Sequence, residues 1–109
     1  MAGGAIITRD GSLRMPGYLI GHIEVTDPEK FEQYRPMAAA SIEKYGGTYV
    51  VRGGEVETLE GELPAPRLVI LRFESLDQLR RWYNSPEYQE AKAIRQAAAR
   101  SVIAITEGL

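Results

Sequence analysis

The chain has 109 residues, 44% of them hydrophobic and 26% charged, which is the composition of one globular domain. A net charge of −2 without any basic run argues against nucleic acid as a partner, and no apolar run approaches the length of a membrane span. With no cysteine and one histidine, thiol chemistry and metal sites built from several imidazoles within one chain are excluded. We predict a cytoplasmic protein with neither metal nor cofactor.

Residues 1–16 are predicted to form an extension before a single domain at 17–109. Asp10-Gly11 lies between two short apolar runs, a pattern typical of a small hairpin arm. A tag-like segment fits the same residues equally well, and the sequence leaves the two alternatives open.

The domain begins with a strand over 18–25 and a helix that starts at Asp27-Pro28, where an aspartate cap precedes a proline. Gly46-Gly47 ends this helix, since glycine suits a left-handed C-terminal cap. Pro36 interrupts the helical pattern, because it lacks an amide hydrogen and crowds the preceding turn. We expect the helix to kink or restart between Tyr34 and Pro36.

The remaining elements alternate between strand and helix patterns. Gly53-Gly54 bends the second strand, and Ser75 with Gln78 forms a capping box for the second helix. Ser85-Pro86 then starts a further helix directly after the second one. The predicted spans are strand 48–52 with a short extension at 55–59, strand 67–74, helix 75–83, helix 86–100 and strand 102–107. With the last two helices counted as one, the order predicts an α+β ferredoxin-like fold: an antiparallel sheet with helices on one face.

Several segments of the chain resemble those of the domain of unknown function 1330 family. They are Lys44-Tyr45-Gly46-Gly47, Val51-Arg52-Gly53-Gly54, Leu59-Glu60-Gly61, Trp82-Tyr83-Asn84-Ser85-Pro86-Glu87-Tyr88-Gln89, Arg95-Gln96 and Thr106-Glu107-Gly108. The resemblance covers residues 17–109, and Pro36 lies outside the family pattern. It implies the dimeric α/β-barrel superfamily, in which two ferredoxin-like sheets face each other, and which includes cofactor-free monooxygenases, lactone isomerases and heme enzymes. The family name implies no particular reaction.

The two faces of the predicted sheet differ in polarity. One face is wholly apolar and should contact the helices: Ile23, Val25, Val69, Leu71 and Phe73. The other mixes Tyr18, Ile20, Leu68 and Ile70 with the charged or polar His22, Glu24, Arg72 and Glu74. So much apolar area needs a cover, and a second copy of the same sheet is the simplest one. We therefore predict a homodimer.

His22 is the candidate catalytic residue, because imidazole titrates near physiological pH. It is predicted either to act as a general base or single cofactor ligand (a heme site would depend on it alone) or, as the structural alternative, to be a hydrogen-bonded interface histidine beside Glu24. Arg52 is the candidate anion contact, since it precedes two glycines at a strand end. Its structural alternative is an ion pair with Glu55, Glu57 or Glu60.

Four further residues are candidate ligand contacts, namely Tyr34, Trp82, Tyr88 and Arg95. Tyr88 and Arg95 lie seven residues apart and so share one helical face. The aromatic corner at 82–88 offers a wall for a planar ligand. The structural alternative is core packing, with Arg95 extending its charge to the rim.

The superfamily resemblance, rather than any motif, implies a homodimeric small-molecule-binding protein, or a cofactor-free enzyme that acts on an aromatic or carboxylated metabolite. The alternative is a non-catalytic structural or interaction dimer whose polar residues only hold the interface. The sequence leaves open whether the protein is an enzyme. A closed cavity of roughly several hundred Å³ with Arg52, Tyr88 or His22 pointing into empty space would favour ligand binding, whereas engagement of all three by other side chains would favour the structural alternative.

Overall fold

The computed structural model describes residues 15–109 together with two short strands, β1 (Ile6–Ile7) and β2 (Leu13–Arg14). These strands pair antiparallel, as a hairpin arm requires. The predicted turn at Asp10-Gly11 lies outside the described residues, as does most of the predicted extension at 1–16. The domain boundary before residue 17 stays a prediction.

Four long strands form one antiparallel sheet whose order is β4-β5-β3-β6. The elements after the arm are β3 (Gly17–Val25), α1 (Pro28–Lys44), β4 (Thr48–Gly54), β5 (Arg67–Phe73), α2 (Leu76–Tyr83), α3 (Pro86–Ala98) and β6 (Ala99–Glu107). This order confirms the predicted α+β ferredoxin-like fold. The sheet of one chain is open, with β4 and β6 at its edges.

Short polar side chains start the three helices as the sequence predicts. The Asp27 carboxylate accepts from the Lys30 amide at 3.2 Å, and the Ser85 hydroxyl accepts from the Tyr88 amide at 3.2 Å. Ser75 likewise accepts from the Gln78 amide, but only half of the predicted capping box forms. The Gln78 side chain instead donates to the Tyr45 carbonyl at 2.6 Å, which fastens α2 to the end of α1.

The predicted restart of the first helix was wrong. The helix α1 continues as one α-helix through Pro36, whose side chain is exposed. Pro36 can be accommodated there because its ring faces solvent and the helix forgoes only one backbone hydrogen bond. The buried stripe on the same helix remains continuous across this position, from Phe31 through Ala38 to Ile42.

The strand β4 is longer and less regular than predicted. It extends through Gly54, and residues 55–59 are not a strand. Its register with β5 shifts twice, so that Tyr49 pairs with Leu71 and Arg52 pairs with Val69. Two residues three apart would normally point to opposite faces of a sheet, but the intervening bulge places both on the helix-facing side.

The core lies between the sheet and the helices, on the face that the sequence assigned to it. Leu19, Leu71 and Phe73 from the sheet are buried against Leu79 and Trp82 of α2. On the open face, Tyr18, Ile20, Leu68 and Ile70 are each only partly covered within one chain. The helices therefore cover one face of the sheet and leave the other accessible.

Candidate functional site

A cavity of about 50 Å³ lies between the helix-facing side of the sheet and helices α1 and α3, and we call it the central cavity. Its volume exceeds what one water molecule needs and is smaller than a typical ligand pocket. Its polar and aromatic lining residues are Tyr34, Arg35, Tyr49, Arg52, Arg67, Trp82, Tyr88 and Arg95, with Phe31 and aliphatic side chains completing the wall.

The inner part of the central cavity holds a hydrogen-bonded group of three side chains. The hydroxyls of Tyr34 and Tyr88 lie 3.0 Å apart, and Arg95 Nε donates to the Tyr88 hydroxyl at 3.3 Å. Arg95 is only 4% exposed. The expectation that its guanidinium extends to the rim was therefore wrong, because Tyr88, about two turns earlier on the same face of α3, gives it a buried acceptor.

Counting hydrogens shows what this group still offers. Tyr34 and Tyr88 together carry two hydroxyl hydrogens, and the bond between them uses one. Arg95 cannot accept a hydrogen, so the second hydroxyl hydrogen has no acceptor among the described residues. Arg95 itself makes only the Nε bond within the same part of the chain. The inner part of the cavity thus has donor hydrogens left over for which the described residues provide no acceptor.

Burial keeps these groups in their donor forms. Burial, followed by the neighbouring Tyr88, raises the pKa of Tyr34 well above its usual range, so its hydroxyl stays protonated. Burial opposes the charge on Arg95, but the Tyr88 and Tyr34 hydroxyls outweigh it, and the pKa of Arg95 lies above its usual range. A protonated hydroxyl and a permanent cation therefore face the cavity at every physiological pH.

Three more arginines lie toward the solvent end of the central cavity, and we call Arg35, Arg52 and Arg67 the arginine cluster. Each guanidinium lies over an aromatic ring. Arg35 and Arg67 are 5.9 Å and 5.4 Å from the centroid of the Phe31 ring, and Arg52 is 4.5 Å from that of Tyr49. Contacts of this kind contribute about 0.5–2 kcal/mol each and restrict where the charge can lie.

Every charged residue that lines the cavity is an arginine. Glu32, which pairs with Arg35 at 3.1 Å on the exposed side of α1, is not a lining residue. Among the described residues, Arg52 makes no ion pair with Glu55, Glu57 or Glu60, so the structural alternative for Arg52 is not observed. A protein of net charge −2 thus concentrates four positive charges around one cavity.

Trp82 supplies an apolar wall rather than a polar contact. Its indole nitrogen donates to the Ser41 hydroxyl at 3.0 Å, and its ring centroid lies 4.1 Å from that of Tyr88 with the ring planes tilted by 37°. The corner that joins α2 and α3 therefore places two packed aromatic rings in the cavity wall.

The structure brings together five of the six sequence-predicted site residues, namely Tyr34, Arg52, Trp82, Tyr88 and Arg95. The sequence analysis missed Arg35, Tyr49 and Arg67. A signal for Arg67 was present, because strand alternation places it on the same face as Val69 and Leu71. No sequence signal would have found Tyr49, since its face depends on the bulge in β4.

His22 lies apart from these five residues, on the open face of the sheet beside Glu24, Arg100 and Val102. Its Nδ1 is buried and has no hydrogen-bond partner among the described residues, and Glu24 pairs instead with Arg100, whose Nε lies 2.8 Å away. A heme in the central cavity does not fit these residues, because the only imidazole of the chain is on the other side of the sheet.

Among the described residues, no three acidic, histidine or cysteine side chains lie close enough together to hold a metal ion, and no helix has both the length and the apolarity needed to cross a membrane. These findings concern residues 15–109 and the two short strands of the arm.

Comparisons with known proteins identify the family and the fold. The family model described as "Domain of unknown function (DUF1330)" matches residues 16–109. A search of curated proteins finds no match.

Solved structures similar to this chain include a protein of unknown function from Rhodopseudomonas palustris, at a TM-score of 0.73 and 20% identity over 88% of this chain and 84% of that one. SnoaB, a cofactor-independent oxygenase from Streptomyces nogalater, aligns at a TM-score of 0.59 and 17% identity over 87% and 94% of the two chains. A protein of unknown function from Bacteroides thetaiotaomicron aligns at 0.60 and 15% over 87% and 99%. At these identities the likeness shows a shared fold.

Proposed function

The chain belongs to the domain of unknown function 1330 family, and from that premise we propose that it is a homodimer that binds a small aromatic or carboxylated metabolite in the central cavity. One observation carries the proposal: Arg95 is 4% exposed and has no carboxylate partner among the described residues. An uncompensated buried charge costs several kcal/mol, on the order of 3–5, unless something neutralises it. An oxygen-rich or anionic ligand would do so.

The size of the cavity restricts how such a ligand binds. At about 50 Å³ the central cavity holds only the inner end of a metabolite. The rest would lie between the arginine cluster and the aromatic wall, where Arg52 is exposed and Arg35 is half-buried, so that both side chains can rearrange on binding. We therefore expect side-chain rearrangement on binding without movement of the sheet.

An enzymatic role follows if the ligand reacts while bound. The hydroxyl hydrogen left over by the Tyr34–Tyr88 pair would donate to a carbonyl or phenolic oxygen, and Arg95 would stabilise negative charge that develops there. Such a site stabilises an enolate or phenolate without a cofactor. The shared fold of the cofactor-independent oxygenase from Streptomyces nogalater supports this part of the proposal.

The dimer would form through the open face of the sheet. Ile20 and Ile70 pair at its centre and are only partly covered within one chain. The buried Nδ1 of His22 lacks a partner on the same face, and a second chain would be a source of one. The proposal also retains the cytoplasm as the compartment, which cell fractionation of the expressed full chain would check.

The experiment uses Trp82, the only tryptophan of the chain, as a reporter inside the cavity. Native mass spectrometry of the purified protein would reveal a co-purified small molecule, and titration with 4-hydroxybenzoate would change Trp82 fluorescence saturably. Arg52→Lys should weaken binding about tenfold, because an ammonium does not reproduce the bidentate fork of a guanidinium. The control, Arg81→Lys on the exposed side of α2, should leave binding unchanged.

A non-catalytic structural dimer is the second candidate, and one observation favours it. Tyr34, Tyr88 and Arg95 already bond to one another in a cavity too small for a whole metabolite. If no small molecule co-purifies, Trp82 fluorescence does not respond and Arg52→Lys unfolds the protein, this second function holds and the ligand proposal is wrong.

A further inference from the structure

We propose that the arginine cluster is an oxyanion-binding site in which Arg67, rather than Arg52, is the central donor. The inference rests on the proposed function, since the cluster lines the solvent end of the same cavity. It assigns the ligand an oxyanion, a carboxylate or a phosphate ester, bound at the opposite end from Tyr88 and Arg95.

The cluster places like charges together without a matching acid in the cavity wall. Arg35 and Arg67 lie over the same Phe31 ring, and Arg52 is on the strand that pairs with the strand of Arg67. Burial, and next the positive charge of Arg35, lower the pKa of Arg67, and the negative charge of Glu32 offsets only part of this shift. Guanidinium groups stay protonated under physiological conditions, so the folded chain bears this repulsion instead of relieving it by proton loss.

Arg67 also has a donor that the chain leaves unused. Its Nε is buried and has no hydrogen-bond partner among the described residues. The guanidinium carbon of Arg67 lies over the Phe31 ring, 5.4 Å from its centroid, and this contact uses none of the N–H hydrogens. Nε therefore keeps a hydrogen that an oxyanion oxygen would accept.

Gly53 makes room for this placement of Arg67. Its φ is +69°, a conformation that favours glycine, and a Cβ built there would approach the guanidinium carbon of Arg67 to 2.5 Å. The sequence analysis used Gly53 and Gly54 to support Arg52 as the anion contact. The structure shows instead that Gly53 accommodates the Arg67 guanidinium, which fixes this cation against the backbone of β4.

Together the two ends of the cavity define the ligand class. The arginine cluster selects an oxyanion, the Trp82 and Tyr49 rings select a planar group, and the Tyr34–Tyr88 pair donates to a second oxygen. A conjugated or aromatic acid that carries a further oxygen satisfies all three. Neutral aromatic compounds satisfy only two.

The test compares three probes of similar shape by isothermal titration calorimetry on the full chain: benzoate, phenyl phosphate and the neutral benzamide. We expect the wild-type protein to bind at least one anion about tenfold or more tightly than benzamide, and the preferred anion identifies the oxyanion. Arg67→Met should abolish that preference, because it removes a charge that benzoate and phenyl phosphate need and that benzamide does not. Arg67→Lys should restore part of it, and the matched control Arg81→Met should behave as wild type.

A second measurement does not depend on any ligand and also shows whether the variants fold. Because salt screens the repulsion within the cluster, the melting temperature of the wild-type protein should rise between low and moderate sodium chloride. Arg67→Met and Arg35→Gln should each reduce this salt-dependent rise. An equal rise in wild type and both variants would overturn the claim that the cluster is under electrostatic strain.

The outcomes separate this inference from the proposed function. If all three probes bind equally and Arg67→Met has no effect, the cavity binds small molecules but the oxyanion site is wrong. If the preference for an anion over benzamide is lost in Arg52→Lys but kept in Arg67→Met, the central role of Arg67 is wrong. If no probe binds and no molecule co-purifies, both proposals are wrong.

Discussion

At the scale of single residues, the most unusual feature is a buried arginine whose observed partner is a tyrosine. Arg95 donates to Tyr88, and Tyr88 bonds in turn to Tyr34. Hydrogen bonds to a charged group contribute about 1.5–3 kcal/mol, against about 0.5–1.5 kcal/mol for neutral pairs. The two tyrosines should therefore differ in how much stability their hydroxyls contribute.

Tyr88→Phe is expected to lower the free energy of unfolding by about 1.5–3 kcal/mol, because Arg95 Nε loses its acceptor inside the core. Tyr34→Phe should cost less, about 0.5–1.5 kcal/mol, since it removes only one neutral partner. Urea denaturation of both variants and of the double mutant measures the two costs and their coupling. Equal costs without coupling would show that the three side chains do not act as a unit.

The raised pKa of Tyr34 predicts a particular loss of stability at alkaline pH. Below the ordinary tyrosine pKa of about 10, Tyr34 is protonated in both states and contributes no pH dependence. Above it the unfolded chain loses this proton while the folded chain retains it, so stability falls as pH rises. The urea midpoint of Tyr34→Phe should therefore change less with pH than that of the wild-type protein between about pH 9 and 11.

Tyr49 should keep part of the alkaline pH dependence in the Tyr34→Phe variant. Burial also raises the pKa of Tyr49, so some alkaline loss should persist in Tyr34→Phe. The Tyr34→Phe and wild-type curves should run parallel below about pH 9. A profile with the same alkaline slope in both proteins would contradict the assignment.

At the scale of the elements, α1 tolerates a proline that its own backbone does not favour. The helix runs without a break from Pro28 to Lys44, and Pro36 is exposed within it. The buried stripe of Phe31, Ala38 and Ile42 holds the helix against the sheet, which shows that packing dominates over local propensity here.

Pro36→Ala should leave stability unchanged or raise it by up to about 3 kcal/mol, because the new amide can complete the helical hydrogen bonding. Thermal and urea unfolding measure the change. Ala40→Gly, at another exposed position of α1, is the control and should lose about 1 kcal/mol. A loss above roughly 1 kcal/mol for Pro36→Ala would mean that the packing of α1 needs the geometry that proline imposes.

At the scale of the whole molecule, the helices cover one face of the sheet and leave the other to a proposed second chain. Ile20 and Ile70 lie opposite each other on that open face, next to the pair of His22 and Leu68. A face with this mixture of apolar and ionisable groups would remain largely wet in a monomer. Burial against a copy of itself would remove the apolar part from water.

Ile20→Asp is therefore expected to convert the dimer to a monomer of 12.1 kDa, because it would bury an unpaired carboxylate at the interface. Light scattering at micromolar concentration measures the mass, and circular dichroism shows whether the monomer stays folded. Leu59→Asp, a change of the same chemistry at a loop side chain that is 86% exposed, is the matched control and should remain dimeric. A monomeric wild-type protein would contradict the dimer.

The sequence by itself determined the element order and the faces of the sheet, because both depend on local signals. The caps at Asp27 and Ser85 and the alternation along β3 and β5 act within a few residues, so a pattern along the chain reveals them. The element order predicted the ferredoxin-like fold, and the segments shared with the family agreed with it. Within the candidate site, the aromatic corner and Arg52 could be predicted for the same reason.

Only the tertiary structure decided which side chains share the cavity, because that depends on contacts between distant segments. The bulge in β4 turns Tyr49 and Arg52 to one face, and in a regular strand they would lie on opposite faces. The packing of α1 against α3 joins Tyr34 to Tyr88 and gives Arg95 a buried partner instead of solvent. His22 lies on the opposite face of the sheet from these residues, and the sequence pattern alone does not show that the sheet separates them.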